Sequence, residues 1–241
     1  MNYKKVIFLL IYILSISTSF GQYYDTEFGQ NRIQYKKFNW LFYTTSHFDV
    51  YYYDEGGKYA KEAIDYLEDE FNRLTDVLGY APSAKTKIVI YNSYNDLQQS
   101  NIGIDGSVFT IGGETEFIKL QLEIANPGTV QVFKEELIYL LSRTLINDML
   151  FGGSLKEVFQ SSHLLKLPEW FIDGAAKYLA FGWDIKMDDF IRDYLDAKHI
   201  KKEKKIQGNQ AGTLGQAIWN YIAIKYGASN ISNILNLTRI M

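Results

Sequence analysis

The chain has no cysteine among its 241 residues. That absence excludes disulfide frameworks, thiolate zinc sites, iron–sulfur clusters and cysteine nucleophiles. Histidine is scarce as well. His47, His163 and His199 are widely spread and none belongs to an HExxH pair, so no histidine-based zinc site is visible. There is no Walker-type phosphate loop, no GxGxxG after a strand and no GxSxG elbow. No internal repeat or low-complexity tract occurs. Charge of one sign is not in excess. Lys and Arg total 25 against 28 Asp and Glu, a formal charge of −3, which argues against a dedicated nucleic-acid binder.

What is present suits one globular domain, with room for a small subdomain. The chain is 47% hydrophobic and 22% charged, and its 19 Tyr, 15 Phe and 4 Trp exclude global disorder.

Residues 1–21 read as a signal peptide. Lys4 and Lys5 form a basic start, and Val6 to Ile16 is an apolar run too short for a comfortable membrane span. Ser19 and Gly21 are small residues at −3 and −1 of a cut before Gln22. An uncleaved membrane anchor is the alternative. With no cysteine after the run, a lipoprotein anchor is excluded. The mature chain, Gln22 to Met241, would carry 23 basic and 28 acidic residues, a charge of −5. It is expected to be exported, periplasmic or outer-membrane-associated, with no membrane span after cleavage.

Residues 22–36 are polar and aromatic and are expected to wrap the surface. Aromatic-rich strands are expected at Phe38–Tyr43 and Phe48–Tyr53, ended by Gly56-Gly57. Lys58–Leu78 has the spacing of an amphipathic helix, with Gly79 as its stop. Lys87–Tyr91 is a short buried strand, and residues 92–114 are loop-like. Glu116–Ile124 alternates as one strand, with Ile118, Leu120, Leu122 and Ile124 on one side and Phe117, Lys119, Gln121 and Glu123 on the other. After the turn Asn126-Pro127-Gly128, Thr129–Leu150 is apolar on nearly every face, the mark of a buried helix, and Gly152-Gly153 ends it. Shorter helices are expected at Leu155–Leu165, Glu169–Ala180, Asp188–Ala197, Thr213–Tyr226 and Asn230–Thr238. Lys198–Lys205 reads as a solvated basic loop, with a membrane-surface contact as the alternative. Ser161-Ser162-His163 and Glu135-Glu136 place reactive types side by side, but neighbours on a helix diverge by about 100° and read as surface.

One stretch is more specific. Leu167-Pro168-Glu169-Trp170-Phe171-Ile172-Asp173-Gly174-Ala175-Ala176-Lys177-Tyr178 resembles the LPxWFxEGxAxY segment of gluzincin metallopeptidases of the peptidase MA-like family. Ser46-His47-Phe48-Asp49-Val50-Tyr51-Tyr52 is similar to the family's early strand. Tyr91-Asn92-Ser93-Tyr94-Asn95-Asp96-Leu97 is similar to its strand-to-loop segment, and Leu214-Gly215-Gln216-Ala217-Ile218-Trp219 to its late helix. The resemblance runs from about Phe28 to the end. It implies an α+β, zincin-like (gluzincin) fold with a mixed N-terminal β-sheet, a central buried helix and a helical C-terminal half. The two halves would divide at about residue 150.

The chain departs from the family at the active-site helix. The alignment that the resemblance implies sets the HExxH positions on Tyr139, Leu140, Leu141, Ser142 and Arg143, thirty residues before Asp173. Both zinc histidines are then replaced, by Tyr139 and Arg143. The general-base glutamate becomes Leu140, and the third ligand is shortened to Asp173. A register placing Glu135, Glu136 and Tyr139 on the motif is the alternative; it too supplies no histidine. Zincin catalysis needs three protein ligands, an open water position and a base. An arginine repels a metal and a leucine takes no proton. Peptide hydrolysis by that route is therefore not expected, and neither is a cofactor. Arg143 and Asp173 are expected to bridge across the former site, with Tyr139 on the same helix face; the alternative leaves Arg143 in solvent and Asp173 capping a local turn.

The leading expectation is a pseudopeptidase that binds a protein or peptide of the cell envelope. A partner strand would dock along Glu116–Ile124, beside Phe117, Lys119 and Gln121, because strand addition needs only backbone hydrogen bonds. The structural alternative covers that edge with residues 92–114. An enzyme of another kind, using Tyr139, Glu136, Arg143 and Asp173, is the second reading, and a structural spacer the third. Degenerate domains of this type resemble the N-terminal part of larger exported bacterial proteins in which a TolB-like β-propeller follows, so the chain is expected to be cut from a longer protein.

Overall fold

The computed structural model describes residues 36–99, 108–111, 115–118, 121–151, 167–196 and 210–240. The expected signal peptide, the surface wrap over 22–36 except for Lys36, the helix at Leu155–Leu165, Ser161-Ser162-His163 and the basic loop at Lys198–Lys205 lie outside them. Among the described residues no helix is long and apolar enough to cross a membrane.

The architecture is α+β, built on a four-stranded mixed sheet. Strands β1 (Trp40–Thr44) and β2 (Phe48–Tyr53) form an antiparallel hairpin. The chain then turns through Asp54–Gly56 into helix α1 (Gly57–Leu78) and returns as β3 (Thr86–Tyr91), parallel to β2. Helix α2 (Tyr94–Gln99) follows, then a separate antiparallel hairpin of β4 (Val108–Ile111) and β5 (Thr115–Ile118). Strand β6 (Gln121–Ala125) joins the main sheet parallel to β3, giving the order β1-β2-β3-β6. The rest is helical: α3 (Val130–Phe151), α4 (Glu169–Phe181), α5 (Ile185–Asp196), α6 (Ala211–Tyr226) and α7 (Ser229–Ile240).

Two expectations are corrected here. Glu116–Ile124 is not one strand. Residues 115–118 pair with β4, where Phe117 sits opposite Phe109, and residues 121–125 pair with β3. Alternating hydrophobicity satisfies both strands, so the pattern carries no mark of the change of partner. Nor is 92–114 a plain loop, since it holds α2 and β4. The six residues of α2 bury no side chain completely and therefore show no apolar period.

Alternation across the sheet explains its two faces. Val50, Ile88, Leu122 and Ile124 point to one side and join the main core with Ala63, Leu67, Phe71 and Leu74 of α1 and Leu137, Leu141 and Leu145 of α3. Tyr53, Val89, Tyr91 and Ala125 point to the other side, where Phe38, Trp40 and Leu97 of α2 pack against them. Helix α1 ends at Gly79, whose φ of 60° is left-handed; a side chain there would be strained and would also meet Ser232 Oγ at 2.8 Å.

Helix α3 is enclosed, with Leu137, Ile138, Leu141, Leu145, Ile146 and Met149 all buried. Its buried Ser142 Oγ and Asn147 Oδ1 have no hydrogen-bond partner among the described residues. Asp148 accepts a hydrogen bond from the Tyr80 hydroxyl. Burial raises the Asp148 carboxyl above its usual range, although the Tyr80 bond and the Arg239 charge oppose the rise.

Candidate functional site

Tyr139 and Arg143 stand one turn apart on α3, on the face that meets α4. Asp173 lies in the second turn of α4. Arg143 Nε is 3.0 Å from Asp173 Oδ1, and the Tyr139 hydroxyl donates to the same oxygen at 3.4 Å. The Tyr139 ring stacks on Phe181 of α4, with centroids 6.5 Å apart and planes 14° from parallel. Leu140 turns away and packs half-buried against the main core. Three of the four residues that the resemblance singled out thus meet at one carboxylate oxygen.

The electrostatics follow from partial burial. Desolvation, helped by the negative Asp173, pushes the Tyr139 phenol up to about 12, against the opposing charge of Arg143. At neutral pH Tyr139 is therefore a donor. The Arg143 side chain is 46% exposed, so the ion pair is solvent-screened and contributes no more than about 1 kcal/mol. Its role is orientation rather than net stability. An arginine supplies no lone pair to a metal, and Leu140 supplies no base. Among the described residues no group of three His, Cys, Asp or Glu is arranged to hold a metal ion.

The position of Asp173 is set by glycines. Gly174 of α4 and Gly215 of α6 face each other so closely that a Cβ at Gly174 would lie 2.4 Å from Gly215 Cα. A Cβ at Gly215 would fall 1.9 Å from the Trp170 carbonyl oxygen. Only glycine permits this backbone approach. Around it, Trp219 is buried and donates through Nε1 to the Phe171 carbonyl at 2.9 Å, while Gln216 Nε2 donates to the Gly182 carbonyl at 2.8 Å. Phe171 and Trp219 meet edge to face at 5.0 Å.

Other singled-out groups go elsewhere. Glu136 accepts from Tyr94 of α2 at 3.2 Å, and Glu135 accepts from Gln131 at 2.6 Å; neither is bonded to the Tyr139–Arg143–Asp173 cluster. His47 anchors the β1–β2 turn to α1, its Nδ1 lying 2.6 Å from Glu68 Oε2 and its ring stacked on Phe71 at 3.9 Å. Of the expected docking residues, Phe117 lies in the β4–β5 hairpin and Lys119 lies outside the described residues. Gln121 opens β6, an edge strand of the main sheet, where its amide donates to Glu123 at 2.5 Å.

Two polar groupings were not singled out from the sequence. One is the Tyr80–Asp148 pair. The other joins Asp96 to Lys36 at 2.9 Å and to the Tyr53 hydroxyl at 2.6 Å. The signal for the first was a lone carboxylate inside the apolar run of α3. The signal for the second was Ser93 three residues before Asp96, a helix-capping pattern; Ser93 Oγ accepts from the Asp96 amide at 3.2 Å.

Comparison of the chain with protein-family models, with curated proteins and with solved structures finds no match in any of the three.

Proposed function

We propose that this chain is a zincin-like domain of the peptidase MA-like type that has lost its metal chemistry and serves as a protein-binding module in the envelope of a bacterium. The observation that carries the reading is the Arg143–Asp173 contact with Tyr139 on the same oxygen. Two positions that the resemblance assigns to ligands of one zinc lie in contact, as ligands of one ion must, and one of them bears a fixed cation. The order of elements agrees with it: a mixed sheet, a buried helix bearing residues 139–143, and then the Pro168–Tyr178 segment locked to a late helix through Gly174 and Gly215.

Binding is assigned to the outer edge of β6, the last strand of the main sheet among the described residues. This edge strand runs beside α3, and its backbone groups on the outer side suit an added strand. Gln121 and Glu123 flank that edge. The envelope location rests on the reading of residues 1–21 as a signal peptide.

A reconstruction experiment tests the alignment. The quadruple variant Y139H/L140E/R143H/D173E restores HExxH and a glutamate third ligand. After zinc loading and dialysis, mass spectrometry should find one zinc per chain in the variant and none in the wild type. Zinc held by the wild type, or a folded variant that holds none, overturns the reading. Circular dichroism separates the latter case from misfolding.

A further inference from the structure

The chain leaves β2 for α1 on the core side of the sheet, but leaves β3 for α2 on the opposite side, where Leu97 packs with Tyr91 and Ala125. Helix α3, like α1, lies on the core side, and between the first turns of α1 and α3 is a cavity of about 350 Å³ lined by Lys58, Tyr59, Glu62, Asn126, Val130 and Phe133 among others. That size is at the lower end for small-molecule sites, which run from about 300 Å³.

The walls are unequal. Phe133 is a buried floor and meets the Tyr59 ring edge to face at 6.2 Å. Val130 is 56% exposed and forms the rim. Two of the polar groups are already engaged: Glu62 pairs with Lys134 at 2.6 Å, and Asn126 Oδ1 accepts from the Gly128 amide at 3.0 Å. Lys58 differs. Its ammonium lies 4.7 Å from the Tyr59 ring centroid, and among the described residues no carboxylate pairs with it. The cavity therefore offers an aromatic and aliphatic body site beside the Lys58 ammonium, which pairs with no carboxylate among the described residues.

We propose that this cavity binds a small organic anion, a carboxylate joined to an apolar body about the size of one amino-acid side chain. The carboxylate meets Lys58 and the body lies against Tyr59, Phe133 and Val130. A free arylalkanoic acid and the C-terminal residue of a polypeptide share this chemistry. The site shares no residue with the Tyr139–Arg143–Asp173 cluster, and it stands or falls independently of the function proposed for that cluster.

The test titrates 15N-labelled protein with 3-phenylpropionate and with its neutral amide, 3-phenylpropanamide. The acid should give saturable shifts at the amides of residues 59, 130 and 133 within about 10 mM, and the amide should bind about fivefold more weakly, the size of one solvent-screened charge contact. Lys58→Gln should cost the acid about fivefold and leave the amide unchanged. Val130→Trp, at an exposed helix start, should fill the rim and abolish binding of both with an unchanged melting temperature. A Phe-terminated peptide that displaces the acid, and loses that ability when its C-terminus is amidated, assigns the site to a polypeptide end; a peptide that does not displace it assigns the site to a free acid. No saturable shift, equal affinity for acid and amide, or binding retained by a folded Val130→Trp overturns the proposal.

Discussion

Gly215→Ala puts a methyl group 1.9 Å from the Trp170 carbonyl oxygen and 2.9 Å from Gly174 Cα. Both obstacles are backbone, so no side-chain rotation relieves the clash and α4 must move away from α6 by roughly 1 Å, short of ordinary contact distance. Overpacking of this kind costs about 3 kcal/mol. Separating the helices also strains the Trp219–Phe171 and Gln216–Gly182 hydrogen bonds, a further loss of about 1 kcal/mol. The better helix propensity of alanine returns about 1 kcal/mol. The net loss is about 3 kcal/mol, which for a domain of this size lowers the melting temperature by roughly 6–12 °C. Thermal melts followed by circular dichroism read this directly. Gly212→Ala is the internal control. Its new methyl would meet Lys177 Cε at 2.9 Å, the far end of a flexible chain that can swing aside. It should melt within about 2 °C of the wild type or above it. If Gly215→Ala melts as the wild type does, or Gly212→Ala falls as far as Gly215→Ala, the close approach of α4 and α6 is not what holds Asp173 in place.

Four further outcomes are expected. Ser142→Ala removes a buried hydroxyl that has no partner among the described residues and should stabilise the protein by about 1 kcal/mol in a denaturant titration; a loss would mean that the hydroxyl is bonded in solution. Arg143→Ala and Asp173→Ala, combined in a double-mutant cycle, should show a coupling below about 1 kcal/mol because Arg143 is 46% exposed; a coupling of several kcal/mol would mark a desolvated pair. Asp148 has its carboxyl pKa raised in the fold by burial, so its contribution is complete below the ordinary value of 3.8 and is lost as pH rises through the raised value. Asp148→Asn, which still accepts from Tyr80, should therefore gain on the wild type between about pH 4 and pH 7 in paired melts, and parallel curves would refute the shift. Glu68 behaves oppositely: burial works to raise its carboxyl, but bonds from Thr45 and from the His47 ring and amide outweigh that and hold it below 4.5. Its contribution is present above 4.5 and lost as pH falls through the lowered value, so Glu68→Gln should cost about 1 kcal/mol at pH 7 and almost nothing near pH 2.

The parts of the fold that were legible in the sequence are those where one local rule acts alone. Helix α1 shows its apolar period at Ala63, Leu67, Phe71, Leu74 and Leu78, and its stop at Gly79. The helix α3 reads as buried because apolar residues surround it, and nine helices and strands among the described residues fall within a few residues of their expected bounds. Where a choice of partner decides, the sequence is silent. The alternation from Glu116 to Ile124 is compatible with one strand, yet β5 pairs with β4 and β6 with β3. Helix α2 is invisible to periodicity, although its Ser93 cap is a local signal. At the candidate site, the meeting of Arg143 with Asp173 follows from the family resemblance, because no local pattern joins residues thirty apart. The Gly174–Gly215 approach needs both helices in place before it can be seen, as does the cavity between α1 and α3.

That glycine contact bears on what the 167–178 segment does for packing. Trp170 packs with Leu214 and Ala211, Phe171 offers its carbonyl to Trp219 and its ring to the same indole, and Gly174 lets Gly215 approach. These residues hold α4 against α6, a demand made by packing and independent of any bound metal. Asp173 in the segment meets the polar face of α3, where its partners are the Arg143 guanidinium and the Tyr139 hydroxyl. Under the function proposed, substitutions therefore divide by mechanism. Changes at Trp170, Phe171, Gly174, Gly215 or Trp219 lower stability in proportion to the packing lost, and they impair binding only by unfolding the module. Changes at Arg143 or Asp173 leave stability nearly intact, since a screened pair is worth about 1 kcal/mol at most. A binding defect in Arg143→Ala with an unchanged melting temperature would place the partner directly on the Tyr139–Arg143–Asp173 face, and undiminished binding would leave the β6 edge as its docking surface.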